Sequence, residues 1–243
     1  MAMWLETNRW IHIAIGSIGL LAFWVPVLTA KGSKPHRQFG QTFRYCGWVV
    51  IASALVAVGL YFLTLINAGL GPEARPSDWA FLLFLGYLAI ITGLPLSHGM
   101  AVLRHKRDLT QLKTPYRITL AWLGIASSAA VMGWALYWRP PNMLILLALS
   151  PIGVSVGVSM LRLFARPPQD PKTWLYEHLS AMLGAGIAFH TAFAVFGANR
   201  IFDYSLEGFW QVIPWIAPAA VGIPATHIWI RRLKNTQPAH TPT

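Results

Sequence analysis

Residues 79–103 read WAFLLFLGYLAIITGLPLSHGMAVL, with no Asp, Glu, Lys or Arg among them, and residues 104–107 follow directly with RHKR. The hydrocarbon core of a bilayer is about 30 Å thick and takes roughly 20 apolar residues of helix to cross. This stretch exceeds that length and stops at a basic cluster. It reads as a transmembrane helix ending at a membrane surface.

The same pattern recurs on both sides of it. The expected spans are 10–30, 46–68, 79–103, 117–138, 141–164, 173–197 and 209–230. Composition agrees, since 55% of the 243 residues are hydrophobic and 11% charged, against about 25% charged in soluble domains. Little chain remains outside the helices, so the expected fold is all-α: one transmembrane domain over 1–243 built as a seven-helix bundle. No basic stretch precedes the first apolar run, which is therefore kept as a mature helix and not a signal peptide. Ser77-Asp78 is expected to cap the third helix and Asp170-Pro171 the sixth. Pro140-Pro141 leaves a minimal turn, so the fourth and fifth helices should pack antiparallel.

Basic residues set the expected orientation. Lys31, Lys34, Arg37 and Arg44 follow the first span; Arg104, Lys106, Arg107, Lys113 and Arg117 follow the third. Arg162, Arg166 and Lys172 follow the fifth, and Arg231, Arg232 and Lys234 follow the seventh. These are fifteen of the 19 basic residues; Arg9, Arg75, Arg139 and Arg200 fall on the other side. Basic loops stay cytoplasmic, which places the N-terminus outside and the C-terminus in the cytoplasm. The net charge of +11 then belongs to topology and to anionic headgroups, making membrane lipids the expected partner and not nucleic acid. Trp10, Trp79, Trp138 and Trp210 on one side, with Tyr45, Trp174 and Trp229 on the other, fit aromatic belts. Cys46 is the only cysteine, so neither a disulfide framework nor a thiolate cluster is available. No lysine lies within 209–230, which excludes a retinal Schiff base there.

Ionisable residues inside a bilayer are costly and mark function, and here they are nearly all histidines. Counted at 1.5 Å per residue from the nearest basic residue, His98, His178 and His227 lie about 6–9 Å deep on the cytoplasmic side. Neutral imidazole ligates zinc, copper, iron and haem iron, so the trio is a candidate metal or haem site. Interfacial hydrogen bonding of each histidine is the structural alternative. Pro95 and Pro224 precede two of them and can open room by kinking the helix. His12 and His190 form a weaker outer pair, at about 4 and 15 Å depth. Glu177 is the only carboxylate inside a span, and is expected to orient a histidine on the third or seventh helix, to relay protons, or to reach cytoplasmic water. Lys31, Lys34, His36 and Arg37 can meet a phosphate, a haem propionate or lipid headgroups. Ser180, Gly184 and Ala188 on the sixth helix, and His12, Gly16 and Gly19 on the first, form small-residue faces expected to serve packing.

His12 and Gly16, then Lys31-Gly32, His36-Arg37 and Gly40, with His190-Thr191-Ala192-Phe193, resemble a family of bacterial membrane proteins known as a domain of unknown function. That resemblance implies a multi-helix protein of the bacterial cytoplasmic (inner) membrane. The intramembrane histidines also resemble, more loosely, those of membrane cytochrome b proteins, which hold haem b between histidine pairs. Two functional expectations follow. One is a redox or electron-transfer protein binding haem b or another transition metal through His98, His178 and His227, with His12 and His190 as a second site. Its partners would be a quinone or the subunits of a larger membrane complex. The other is a proton-coupled carrier using the same histidines and Glu177, or an accessory subunit.

Overall fold

The structure, a computed structural model, describes residues 2–166, 168–198, 201 and 208–235. All regular elements among them are helical, and seven helices are long and apolar enough to cross a membrane. These are α1 (Ala2–Leu28), α2 (Lys34–Asn67), α3 (Pro76–Arg104), α4 (Pro115–Trp138), a fifth span split into α5 (Met143–Leu149) and α6 (Pro151–Ala165), α7 (Thr173–Ala192) and α8 (Ile213–Asn235). A π-helical turn at Phe193–Gly197 extends α7, and a 3-10 turn at Gly208–Val212 leads into α8. Arg200, assigned above to the basic-poor side, lies outside the described residues.

The seven expected spans are all present, and their ends differ in instructive ways. α2 starts at Lys34, twelve residues before the expected boundary, so most of the basic Lys31–Arg44 stretch is helix and not connector. Ser33 caps it by accepting the His36 N–H, with Pro35 in the first turn. α3 begins at Pro76 with Arg75 at its cap position and no side-chain cap; Asp78 falls in the first turn, paired with Arg75 at 3.6 Å. Asp170 does not cap α7 either. It accepts the Lys172 N–H at 2.7 Å in a turn just ahead of the helix.

α3 is the central helix and packs on α2, α4 and α7. α1 lies along α2, α6 along α4, and α8 along α7. Water cannot drive helices together within lipid, so close van der Waals approach must do so. The α4–α6 seam supplies it through glycine: a Cβ on Gly153 would lie 2.6 Å from the Gly124 carbonyl oxygen, and one on Gly157 2.5 Å from that of Ala121. The expected antiparallel pairing of the fourth and fifth spans is present.

The break between α5 and α6 has an identifiable cause. Pro151 has no N–H to give, and the buried Tyr87 hydroxyl of α3 enters the helix ladder beside it. It donates to the Leu149 carbonyl at 2.7 Å and accepts the Gly153 N–H at 3.1 Å. A side chain inserted between a carbonyl and the N–H four residues on bends a helix. The bend keeps the upper part of the fifth span against α3 and α4 while α6 runs on beside a cavity.

Candidate functional site

The cavity has a volume of about 280 Å³ and is walled by α3, α6, α7 and α8. Its length comes from α7, where the lining residues run from Glu177 to Thr191, about 21 Å at 1.5 Å per residue. The walls are mainly aliphatic: Leu88 and Ile91 from α3, Ile152 and Val156 from α6, Ile187 from α7. At the end away from the basic connectors it meets Trp215, whose ring packs on Phe84 at 5.4 Å and Phe196 at 5.5 Å. α6 packs on α4 and α8 on α7, whereas α6 and α8 are not a closely packed pair among the described residues. Ile152 and Ile223, which line the cavity from those two helices, are both exposed. The cavity is therefore open sideways, toward lipid.

Its polar end is built by α3 and α7. His98 Nε2 lies 3.3 Å from Glu177 Oε2. The His98 side chain is 5% exposed and that of Glu177 28%, so the carboxylate is the group that meets the cavity and the imidazole stands behind it. An ionised carboxylate is an acceptor only, so when Glu177 is charged the imidazole donates to it from Nε2. The His98 Nδ1 is buried without a hydrogen-bond partner. Pro95, one turn before His98, is itself a wall residue.

The other expected site residues are placed elsewhere. His178 turns away from the cavity wall and its Nδ1–H donates to the Gly99 carbonyl at 2.8 Å. His227 is exposed on α8, with Nδ1–H donating to Ile223 at 2.8 Å. The expected inner trio is therefore not gathered, and among the described residues no three His, Cys, Asp or Glu side chains form a metal-binding group. Equal depth fixed their level; it did not fix the direction each faces around its helix.

His12 and His190 do not pair either. His12 Nδ1 meets Ser53 Oγ at 2.8 Å between α1 and α2. His190 donates from Nδ1 to Gly186 at 2.7 Å and accepts the Trp24 indole N–H at 3.1 Å on Nε2, so both ring nitrogens are engaged. Trp24 lies twelve residues from His12 on α1, about 18 Å along the axis. α1 does meet α7, through Phe23 and Trp24 near its basic end and through Gly19, where a Cβ would lie 3.3 Å from the Phe189 ring. Its small-residue face turns chiefly to α2, with Gly16 against Val50 and Gly19 against Cys46.

The test of a haem site follows from these positions. His98 is the one histidine on the cavity wall, and its Nε2 already faces Glu177. A haem clamped by two imidazoles would need a second ligand from outside the cavity, so the residues present do not fit that group.

Lys31 and His36 are also occupied. The Lys31 ammonium donates to the Pro26 and Val27 carbonyls at 2.6 and 2.9 Å, and His36 Nδ1–H to Pro26 at 3.1 Å. Both satisfy the open carbonyls at the end of α1. Lys31 also lies 4.5 Å from the Trp229 ring of α8, and burial pulls its pKa below the usual value. Lys34 and Arg37 are exposed, where headgroup contact is open to them.

The residues that sequence reasoning assigned to packing prove to be part of the site. Ser180, Gly184 and Ala188 line the cavity, and a Cβ on Gly184 would meet nothing within 4 Å. Thr92 and Ser159 add hydroxyls to the wall. Comparison of the chain with protein-family models, curated proteins and solved structures gives no match, so the reading rests on this geometry.

Proposed function

We propose that the protein is an intramembrane, proton-coupled carrier of a lipophilic small molecule, which enters the cavity from the bilayer and is met there by Glu177. The observation that carries this is a carboxylate, backed by a buried imidazole, at the end of an apolar cavity open toward lipid. Few sites inside a membrane hold an ionisable pair without a role in ion or proton movement. Ligand pockets combine apolar walls with a few convergent polar groups, and this cavity has that form at the lower edge of the usual volume range.

Coupling needs the ligand and the proton to compete for one group. Without a ligand of opposite charge, a proton on Glu177, whose side chain is 28% exposed, removes the charge from the cavity wall. An apolar occupant excludes water, and a charged carboxylate in a dry cavity is costly unless it is paired. The pair then holds a proton or a ligand of opposite charge. Electron transfer through haem would instead need facing imidazoles, which the cavity does not provide.

Uptake into proteoliposomes tests the coupling. An imposed pH gradient should drive accumulation of a lipophilic fluorescent probe, and Glu177→Gln should abolish it. Accumulation that ignores both the gradient and the substitution would overturn the reading.

A further inference from the structure

We infer that the carried molecule is a lipophilic monocation: an amine or quaternary ammonium on a single apolar chain, held by Glu177 and exchanged for a proton. This rests on the carrier reading and names its substrate class.

Charge comes first. The lining contains one carboxylate and no Lys or Arg among the described residues. A carboxylate taken out of water needs a counter-charge or a proton, and an anionic occupant would be repelled. A cation on an apolar chain partitions into the bilayer with its head near the interface, and the sideways opening between α6 and α8 leads from there to Glu177.

Shape comes second. The cavity is long and narrow, about 21 Å along α7 and about 280 Å³ in volume. It runs from Glu177 past Gly184 and Ala188 to Trp215. That form takes one chain, head at Glu177 and tail toward Trp215, and excludes a two-chained lipid. Gly184 leaves the slot open at its middle without being required for helix packing, because no atom lies within reach of a Cβ there.

The exchange balances in charge. Glu177 releases one proton as one cation binds, and recovers it when the cation leaves. The groups facing Glu177 that share in this titration are few. His98 approaches from α3. α6 offers Ser159 and Met160, neither of which titrates in this range. On α8, His227 lies one turn beyond Ile223, and Lys234 sits 4.9 Å from the ring of Tyr176, next in sequence to Glu177.

Binding of radiolabelled dodecyltrimethylammonium to the full chain in nanodiscs, with empty nanodiscs subtracted, tests the inference. Saturable binding should strengthen as pH rises and should resist competition by laurate and dodecanol. Glu177→Gln should weaken it about tenfold or more, the scale expected for a single close charge pair. Gly184→Leu should weaken it while leaving helix content and thermal unfolding unchanged. Equal competition by dodecanol, or unchanged affinity in Glu177→Gln, would overturn the cation while leaving a lipophile-binding cavity. Unchanged affinity in Gly184→Leu would overturn the cavity as the site, and the carrier reading with it.

Discussion

His98 Nε2 and Glu177 Oε2 stand 3.3 Å apart, joining the central helix α3 to α7 at the polar end of the cavity. The distance is longer than the 2.7–2.9 Å of a tight charge-assisted bond, which suits a contact that must loosen when the carboxylate takes another partner. Breaking one side leaves the other buried, so the two single variants should not add. In a double-mutant cycle of His98→Ala and Glu177→Ala, thermal or denaturant unfolding in detergent should give a coupling of about 1 kcal/mol. Strict additivity would mean that the two side chains do not interact.

Tyr87 holds the bend of the fifth span. Tyr87→Phe removes the hydroxyl between the Leu149 carbonyl and the Gly153 N–H, leaving both without that partner in a dry interior. The expected cost is about 1–3 kcal/mol, read as a lower unfolding midpoint with the apolar packing of the ring preserved. A stability equal to that of the wild type would show that the two backbone groups bond each other directly once the hydroxyl is gone.

The connector after α3 carries its own acid switch. Asp108 accepts the hydroxyl and N–H of Thr110 and the amide of Gln111 at 3.2 Å, and these donors hold its pKa below the usual 3.8. A depressed carboxyl pKa stabilises the fold above the unfolded value and ceases to do so as pH falls through the folded one. The protection of residues 104–114 against hydrogen exchange, with the intrinsic pH dependence of amide exchange divided out, should therefore hold at neutral pH and fall only in acid below about pH 4. Asp108→Asn should show the lower protection at both.

The charge distribution predicts a cytoplasmic C-terminus, and the prediction has a direct readout because Cys46 is the only cysteine. In a Cys46→Ala background, a membrane-impermeant maleimide added to intact cells should label Glu73→Cys. It should label Gln38→Cys only after permeabilisation. The reverse pattern would invert the bundle.

The seven spans were legible because hydropathy over a helix length is a strong, additive signal. Their ends were less so, since α3 starts at Pro76, ahead of the expected Ser77-Asp78 cap, and α7 at Thr173, beyond Asp170. The site was half legible. Glu177 stood out as the one carboxylate within a span, and a histidine partner on the third or seventh helix was among its expected places. His178 and His227 share a level with His98 in the sequence, but depth along a helix says nothing of direction around it. The Ser180–Gly184–Ala188 stripe has the same spacing whether a neighbouring helix or an empty space lies against it. Only the positions of α6 and α8 decide between the two.

The most direct measurement is of what occupies that space. Wild-type protein and Gly184→Leu, purified alike in mild detergent, would be extracted with organic solvent and the extracts compared by mass spectrometry. The account predicts a lipophilic molecule near one equivalent in the wild type and strongly reduced in the equally folded variant. The same content in both, or none in either, would contradict a ligand cavity beside Glu177.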